Sequence, residues 1–378
     1  MNHPPQFPDY LEPVAPQWRR WWLALLLLWG VQAGLTLSLW PDGRPRQELW
    51  LWSALPPLAW LLALALRALV WQVALVNREA YRATLDAALQ RWWRRRSAAL
   101  PVEHVLLLGP AGDSPWQYQG LMAATPMPLA AVPPGALEPA LRCQLSLRET
   151  PERSAALGRH LAHLVLALPG REARWAGLRG LAWAGDAAGE AAFVQTLAAG
   201  GAPLPEGRWS LRTLEDLDAL IDAFPRTCPR EADALLCAGV VSLERAEAGV
   251  LPGEAGFVWL VGHSGRQRVH RGEYLRAGGA ESVADLCAQM QRYGGLNGAP
   301  TDCLALDVAS QVAFVEGGWL ASEHQLAGHW GALGELAPFV GMSLAVLRTQ
   351  ESGQACGWLC AEGERGMAMG VVVANDNG

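Results

Sequence analysis

Residues Trp21 to Trp40 form a run of 20 without a charge. As a helix rising 1.5 Å per residue, that run spans about 30 Å, the thickness of a bilayer's hydrocarbon core. A second apolar run, Leu49 to Leu66, continues past Arg67 to Val76. Between them lies Pro41-Asp42-Gly43-Arg44-Pro45, a turn by composition. The pattern predicts a transmembrane helical hairpin with spans at about 21–40 and 49–70. A cleaved signal peptide fits less well, because the first run is long, lacks a small-residue cleavage site and is followed by a second span. The alternative for the second run is a buried soluble helix. Arg67 must snorkel, or the second span ends there.

Composition agrees with a part-lipid environment. Only 17% of residues are charged against 51% hydrophobic, where soluble domains carry about 25% charged residues. The 19 tryptophans exceed the 5 tyrosines and 6 phenylalanines together. Trp21, Trp22, Trp40, Trp50 and Trp52 fall near the expected interfaces, where indoles prefer to lie. Arg19 and Arg20 precede the first span, and Arg78, Arg82, Arg91, Arg94, Arg95 and Arg96 follow the second, so the positive-inside rule places both termini in the cytoplasm. Residues 77–100 read as a basic juxtamembrane helix. Trp92, Trp93, Arg94, Arg95 and Arg96 near its end are candidates for anionic headgroups, or else a solvated helix end. A net charge of −6 argues against nucleic acid as a partner. All 30 basic residues are arginine, which excludes lysine Schiff-base chemistry and a phosphate-loop lysine.

From Pro101 onward the chain alternates strand-like and helix-like segments, the signature of α/β layers. Val102 to Gly109, Leu164 to Leu168, Ala234 to Val241, Phe257 to Val261 and Leu304 to Val308 read as buried strands. Ser154 to Leu164, Gly189 to Ala199, Thr213 to Phe224, Ser282 to Tyr293 and Leu333 to Arg348 read as helices. Seven cysteines, an odd count in a cytoplasmic region, predict free thiols. No metal or cofactor motif stands out. His160 and His163 share a helix face among leucines, and His263, His270 and His324 read as loop polar groups.

Several motifs, in order, resemble the thiolase-like fold of β-ketoacyl synthases. Glu231 to Gly239 looks like the segment after the nucleophile helix. Pro252-Gly253-Glu254-Ala255-Gly256 resembles that family's Gly-Glu-Gly-Ala-Gly turn. Gly328-His329-Trp330-Gly331-Ala332-Leu333-Gly334 is similar to its Gly-His-x-x-Gly-Ala-x-Gly motif, and Gly366 to Val373 to its last strand. The resemblance covers residues 101–378 and implies a layered α/β/α/β/α domain, with a first half at 101–262 and a second at 263–378, after residues 1–76 and the basic helix.

The family's chemistry needs a cysteine thiolate at a helix start and two polar partners for the oxyanion and carbanion. Here the corresponding helix start, Trp209 to Thr213, has Ser210 and no cysteine. Ala309-Ser310-Gln311 stands where the first histidine is expected, and only His329 survives. One remaining member of a unit that acts together is a poor basis for catalysis. The expectation is therefore a pseudo-enzyme with no catalytic residues and no cofactor. Its vestigial pocket would hold His329, Gly328, Gly331 and Ser210. The overall pattern also resembles uncharacterised bacterial membrane proteins of type VI secretion loci. That implies an adaptor in the bacterial inner membrane, main domain cytoplasmic, whose partners are the bilayer and a secretion effector or component, with a homodimer open. The alternatives are an acyl-thioester enzyme with an atypical nucleophile such as Ser210, and a structural membrane protein assembled through its hairpin.

Overall fold

The computed structural model describes residues 5, 7–39, 41, 45–121, 140–145, 152–170, 175–246, 250–275, 282–320, 326–362 and 365–375. The chain divides into two compact units, residues 1–93 and 94–378.

In the first unit, α1 (Trp18–Ser38) and α2 (Arg46–Arg96) are both long and apolar enough to cross a membrane. Most of the Pro41–Pro45 turn lies outside the described residues. The second apolar run and the basic segment after it form one element, since α2 runs unbroken for 51 residues. From Leu58 to Leu100 the sequence has no glycine or proline to stop it. Trp21 and Trp60 pack with ring centroids 5.0 Å apart, and Trp60 Nε1 donates to the Trp21 carbonyl at 3.1 Å. The Arg67 guanidinium donates to the Val14 carbonyl at 2.8 Å, in the segment before α1.

The second unit holds a ten-stranded mixed sheet with helices on its faces. In chain order it contains β1 (Ala99–Leu108), α3 (Pro115–Leu121), α4 (Arg153–Leu166), β2 (Leu178–Gly185), α5 (Ala187–Ala199), β3 (Gly207–Ser210), α6 (Leu214–Thr227), β4 (Ala234–Ser242) and β5 (Glu254–Gly262). There follow β6 (Gln267–His270), β7 (Glu273–Leu275), α7 (Val283–Tyr293), β8 (Asp302–Ala305), α8 (Val308–Glu316), α9 (Ala327–Trp330), α10 (Ala337–Ser352), β9 (Cys356–Ala361) and β10 (Met367–Ala374).

The spatial order is β3-β2-β4-β5-β1-β6-β10-β9-β8, with β7 paired to β10. The two halves repeat one pattern. In the first, β2 lies parallel to β4, and β5 is antiparallel to both β4 and β1. In the second, β8 lies parallel to β9, and β10 is antiparallel to both β9 and β6. They meet where β1 and β6 pair antiparallel, from Ala99↔His270 to Val102↔Gln267. α10 packs against strands of both halves, and Ala337 to Leu347 are all buried. A helix enclosed on every side must be apolar all round, and this one is. Of its two buried hydroxyls, Ser343 is satisfied by the Phe339 carbonyl at 2.7 Å and the Trp259 indole at 2.8 Å, while Thr349 Oγ1 has no hydrogen-bond partner among the described residues.

Two strand expectations need correction. Leu164 to Leu166 close α4, and β8 ends at Ala305, because Asp307 caps a new helix at Val308.

Candidate functional site

β3 delivers the chain to the start of α6, where the resemblance places the nucleophile of a condensing enzyme. Ser210 ends the strand and is exposed, and its hydroxyl lies 3.5 Å from Asp216 Oδ2. The helix begins four residues later with Thr213 and Asp216 forming a capping box. Asp216 Oδ2 accepts from the Arg212 amide at 2.8 Å and the Thr213 amide at 3.2 Å. Thr213 Oγ1 accepts from the Asp216 amide at 3.1 Å, and the Leu214 amide donates to the Tyr274 hydroxyl at 3.2 Å. These donors, which an oxyanion would need, are taken by the chain itself.

Beside this helix end lies a charged group the sequence reading missed. Glu362, in the β9–β10 turn, is buried and ion-paired to Arg365, whose other nitrogen reaches Glu335 at 3.3 Å. Burial raises the Glu362 carboxyl, against the pull of Tyr274 and Arg365. Arg365 also donates to the Arg212 carbonyl at 3.4 Å, tying this turn to the α6 entry.

His329 lies in the short helix α9, not at the start of the long one, which begins at Ala337. The segment enters with the Leu326 amide on the Ala305 carbonyl at 2.8 Å. It leaves through Gly331, at φ +67° and ψ −166°, a conformation reserved for glycine. Ala332 then pairs with the β4–β5 turn: its amide donates to the Leu251 carbonyl at 2.8 Å, and its carbonyl accepts from the Gly253 amide at 3.0 Å. Gly328 is exposed in α9. His329 is buried, which lowers its imidazole pKa, and its Nδ1 has no hydrogen-bond partner among the described residues. Among the described residues no hydrogen bond joins His329 to Ser210.

Trp330 fills the space alongside. It is buried and stacks on Tyr118 with ring centroids 5.7 Å apart. A Cβ on Gly109 would stand 2.4 Å from its ring, so that glycine permits the close approach. Where the family's first histidine is expected, Asp307 caps α8. Its carboxylate accepts from the Ser310 amide at 2.8 Å, the Ser310 hydroxyl at 2.6 Å and the Ala361 amide at 2.6 Å.

No cysteine stands at any of these places. All seven are buried and free, and burial raises every thiol, Cys228, Cys287 and Cys303 to about 12. Such thiols are poor sources of thiolate at neutral pH.

The remaining site candidates scatter. Arg96 is buried, so a headgroup role is closed to it. It donates to Tyr293 at 2.9 Å, pairs with Asp218 at 2.6 Å and also pairs with Glu273. Arg95 pairs with Asp222, while Arg94 is exposed and Trp92 and Trp93 are half-buried. His160 Nε2 lies 3.0 Å from Asp113, and His163 is exposed. His263 bonds the Cys228 carbonyl at 2.7 Å. His270 is not a loop residue but is buried in β6, and His324 lies outside the described residues. Glu254, in the expected glycine-rich turn, is fully buried. It accepts from Arg142 at 2.9 Å, Arg153 at 2.8 Å, Ser242 at 2.8 Å and the Cys143 amide at 2.9 Å. A charge inside an apolar strand pair was the visible signal for it.

No protein-family model and no curated protein matches this chain. Solved structures do. The ishigamide ketosynthase/chain length factor superposes with a TM-score of 0.50 at 13% identity, over 73% of this chain and 99% of that one. An oxazolomycin ketosynthase domain of Streptomyces albus JA3453 gives 0.47 at 12%, over 74% and 96%. ChlB3, described as an acyltransferase, gives 0.49 at 14%, over 73% and 98%. Together with the duplicated strand pattern, the likeness to the first defines a thiolase-like α/β fold.

Proposed function

We propose that this chain is a membrane-anchored adaptor or scaffold whose thiolase-like domain does not condense acyl thioesters. The observation that carries the reading is the α6 entry: no thiol stands there, and the helix-end donors are occupied by Asp216, Thr213 and Tyr274. The buried, acid-poor thiols elsewhere support it. Full-length protein in detergent, given malonyl and acyl thioesters, should show no turnover. Turnover lost in Ser210→Ala or His329→Ala would overturn the reading in favour of an enzyme with an atypical nucleophile.

The two long apolar helices support anchoring, and the arginine asymmetry supports both termini on the cytoplasmic face of a bacterial inner membrane. A reporter after Gly378 should behave as cytoplasmic, whereas periplasmic alkaline phosphatase activity there would reverse the topology. A protein partner, by resemblance a type VI secretion component or effector, should co-purify with the solubilised chain.

A further inference from the structure

The N-terminal segment limits how deep α2 can lie in a bilayer. Residues 7–17 form neither helix nor strand. Three contacts lay them antiparallel along α2. The Arg67 guanidinium donates to the Val14 carbonyl at 2.8 Å, Arg78 pairs with Glu12 at 2.8 Å, and the Tyr81 hydroxyl donates to the Pro8 carbonyl at 2.8 Å. Tyr10 also packs on Tyr81, with ring centroids 5.5 Å apart. Residues 8–14 therefore share the depth of residues 67–81.

Such a segment does not belong in hydrocarbon. Among the described residues, the exposed amides of Asp9, Tyr10, Leu11, Glu12 and Val14 find no acceptor. Water must serve them, and a bilayer core holds none. Hydropathy alone would carry the span onward through Leu66, Leu69, Val73 and Val76. Inserting Asp9, however, costs more than those four side chains together return. Nor does α2 have a glycine or proline after Pro57 at which to bend and keep one side in lipid. The length of α1 gives the same limit independently. Its 21 residues span about 32 Å, enough to fill a core of about 30 Å. Because Trp21 packs on Trp60, the start of α1 at Trp18 is level with about Ala63 of α2. Arg19 and Arg20 lie about 2–3 Å beyond the Trp21–Trp60 pair and Arg67 about 10 Å beyond it, which brackets a headgroup layer.

We propose that hydrocarbon covers α1 and the facing part of α2 no further than Leu66. Arg19, Arg20 and Arg67 meet the headgroup phosphates, and residues 68–93 of α2 leave the lipid with the N-terminal segment alongside. The lipid-facing surface is thus shorter than the apolar run. This inference rests on the membrane anchoring proposed above and names the surface that performs it.

The test is labelling of single-cysteine variants of the full-length chain, in inverted inner-membrane vesicles, with a membrane-impermeant maleimide. The seven native cysteines are buried, so the parent chain serves as the blank. Leu55, Leu58, Val73 and Val76 are 51% to 64% exposed, so the protein itself shields none of them. Maleimide needs the thiolate, which does not form in hydrocarbon, so Val73→Cys and Val76→Cys should label at least about tenfold faster than Leu55→Cys and Leu58→Cys. The latter two should react only after detergent is added. Equal protection of all four would overturn the boundary and leave the anchor standing. Equal labelling of all four, with the chain released by an alkaline carbonate wash, would remove the anchor and the boundary with it. The same step between Leu58 and Val73, seen only in right-side-out vesicles, would keep the boundary and reverse the topology.

Discussion

Gly331 and Gly353 both have positive φ, at +67° and +69°, yet they answer to different constraints. A Cβ on Gly353 meets open space, so Gly353→Ala should cost only the left-handed penalty of about 1 kcal/mol. A Cβ on Gly331 would stand 2.5 Å from the Leu251 carbonyl, in a backbone region essentially closed to other residues. Gly331→Ala should cost about 3 kcal/mol, and Gly331→Val more. Thermal melts of the two alanine variants should separate clearly, and equal melts would mean the His329 turn is not packed on the β4–β5 turn. His329 itself predicts the opposite outcome. Because its buried Nδ1 lacks a partner, His329→Leu should be near neutral, and a large loss would reveal a partner for the ring. Glu254 is the costly position. Glu254→Gln removes the charge that Arg142 and Arg153 share inside the fold, and about 3–5 kcal/mol should go with it in denaturant unfolding.

At the scale of elements, the last turn of α2 is held by charges that the sequence presents as a solvated run. Arg96 finds Asp218 and Tyr293 at 122 and 197 residues' separation, so no local pattern could reveal that it is buried. Arg96→Met should strand Glu273, whose carboxyl burial already raises, and cost about 3–5 kcal/mol. If the melt is unchanged, the helix end is not docked through this network. The same contrast governs what was legible elsewhere. β4, β5 and β10 are buried apolar runs, and α6 and α7 carry capping boxes at Thr213 and Ser282, so local chemistry announces them. β2 was missed because Arg179, Gly180 and Gly185 interrupt its apolar run, and β3 because four residues show no period. Leu164 to Leu168 read as a strand because a short apolar run carries no sign of its period. At the site, glycines that enforce backbone turns were readable, whereas Glu362, Arg365 and Tyr274 meet only through the β9–β10 and β7 geometry.

At the scale of the whole thiolase-like unit, the seam between its halves carries a buried titratable group. His270 faces Ala99 in the β1–β6 pair, and burial, with Arg268 adding to it, lowers its pKa to about 4. The unfolded chain holds this proton near pH 6.5 and the native chain does not. The associated stability is therefore complete above pH 6.5 and is lost as pH falls toward 4, by about 3 kcal/mol. His329, also lowered by burial, adds in the same direction. Glu273 and Glu362 oppose it, since burial raises both carboxyls and acid then favours the native form. Asp222 and Glu254 are raised by burial but carried lower overall by their arginines, so they hold full stability above the ordinary carboxylate range and lose it only in stronger acid. As pH falls below 6.5 the histidines therefore work against the raised carboxyls, and a single profile would blur them. The comparison that isolates the seam is the stability of His270→Gln against the parent across pH 7 to 4. The parent should lose about 3 kcal/mol more than the variant over that interval. Because α10 and the β1–β6 pair join both halves, the loss should appear as one transition of residues 94–378. Parallel profiles for parent and variant would mean that His270 is protonated alike in the folded and unfolded chain, and that the seam does not sense pH.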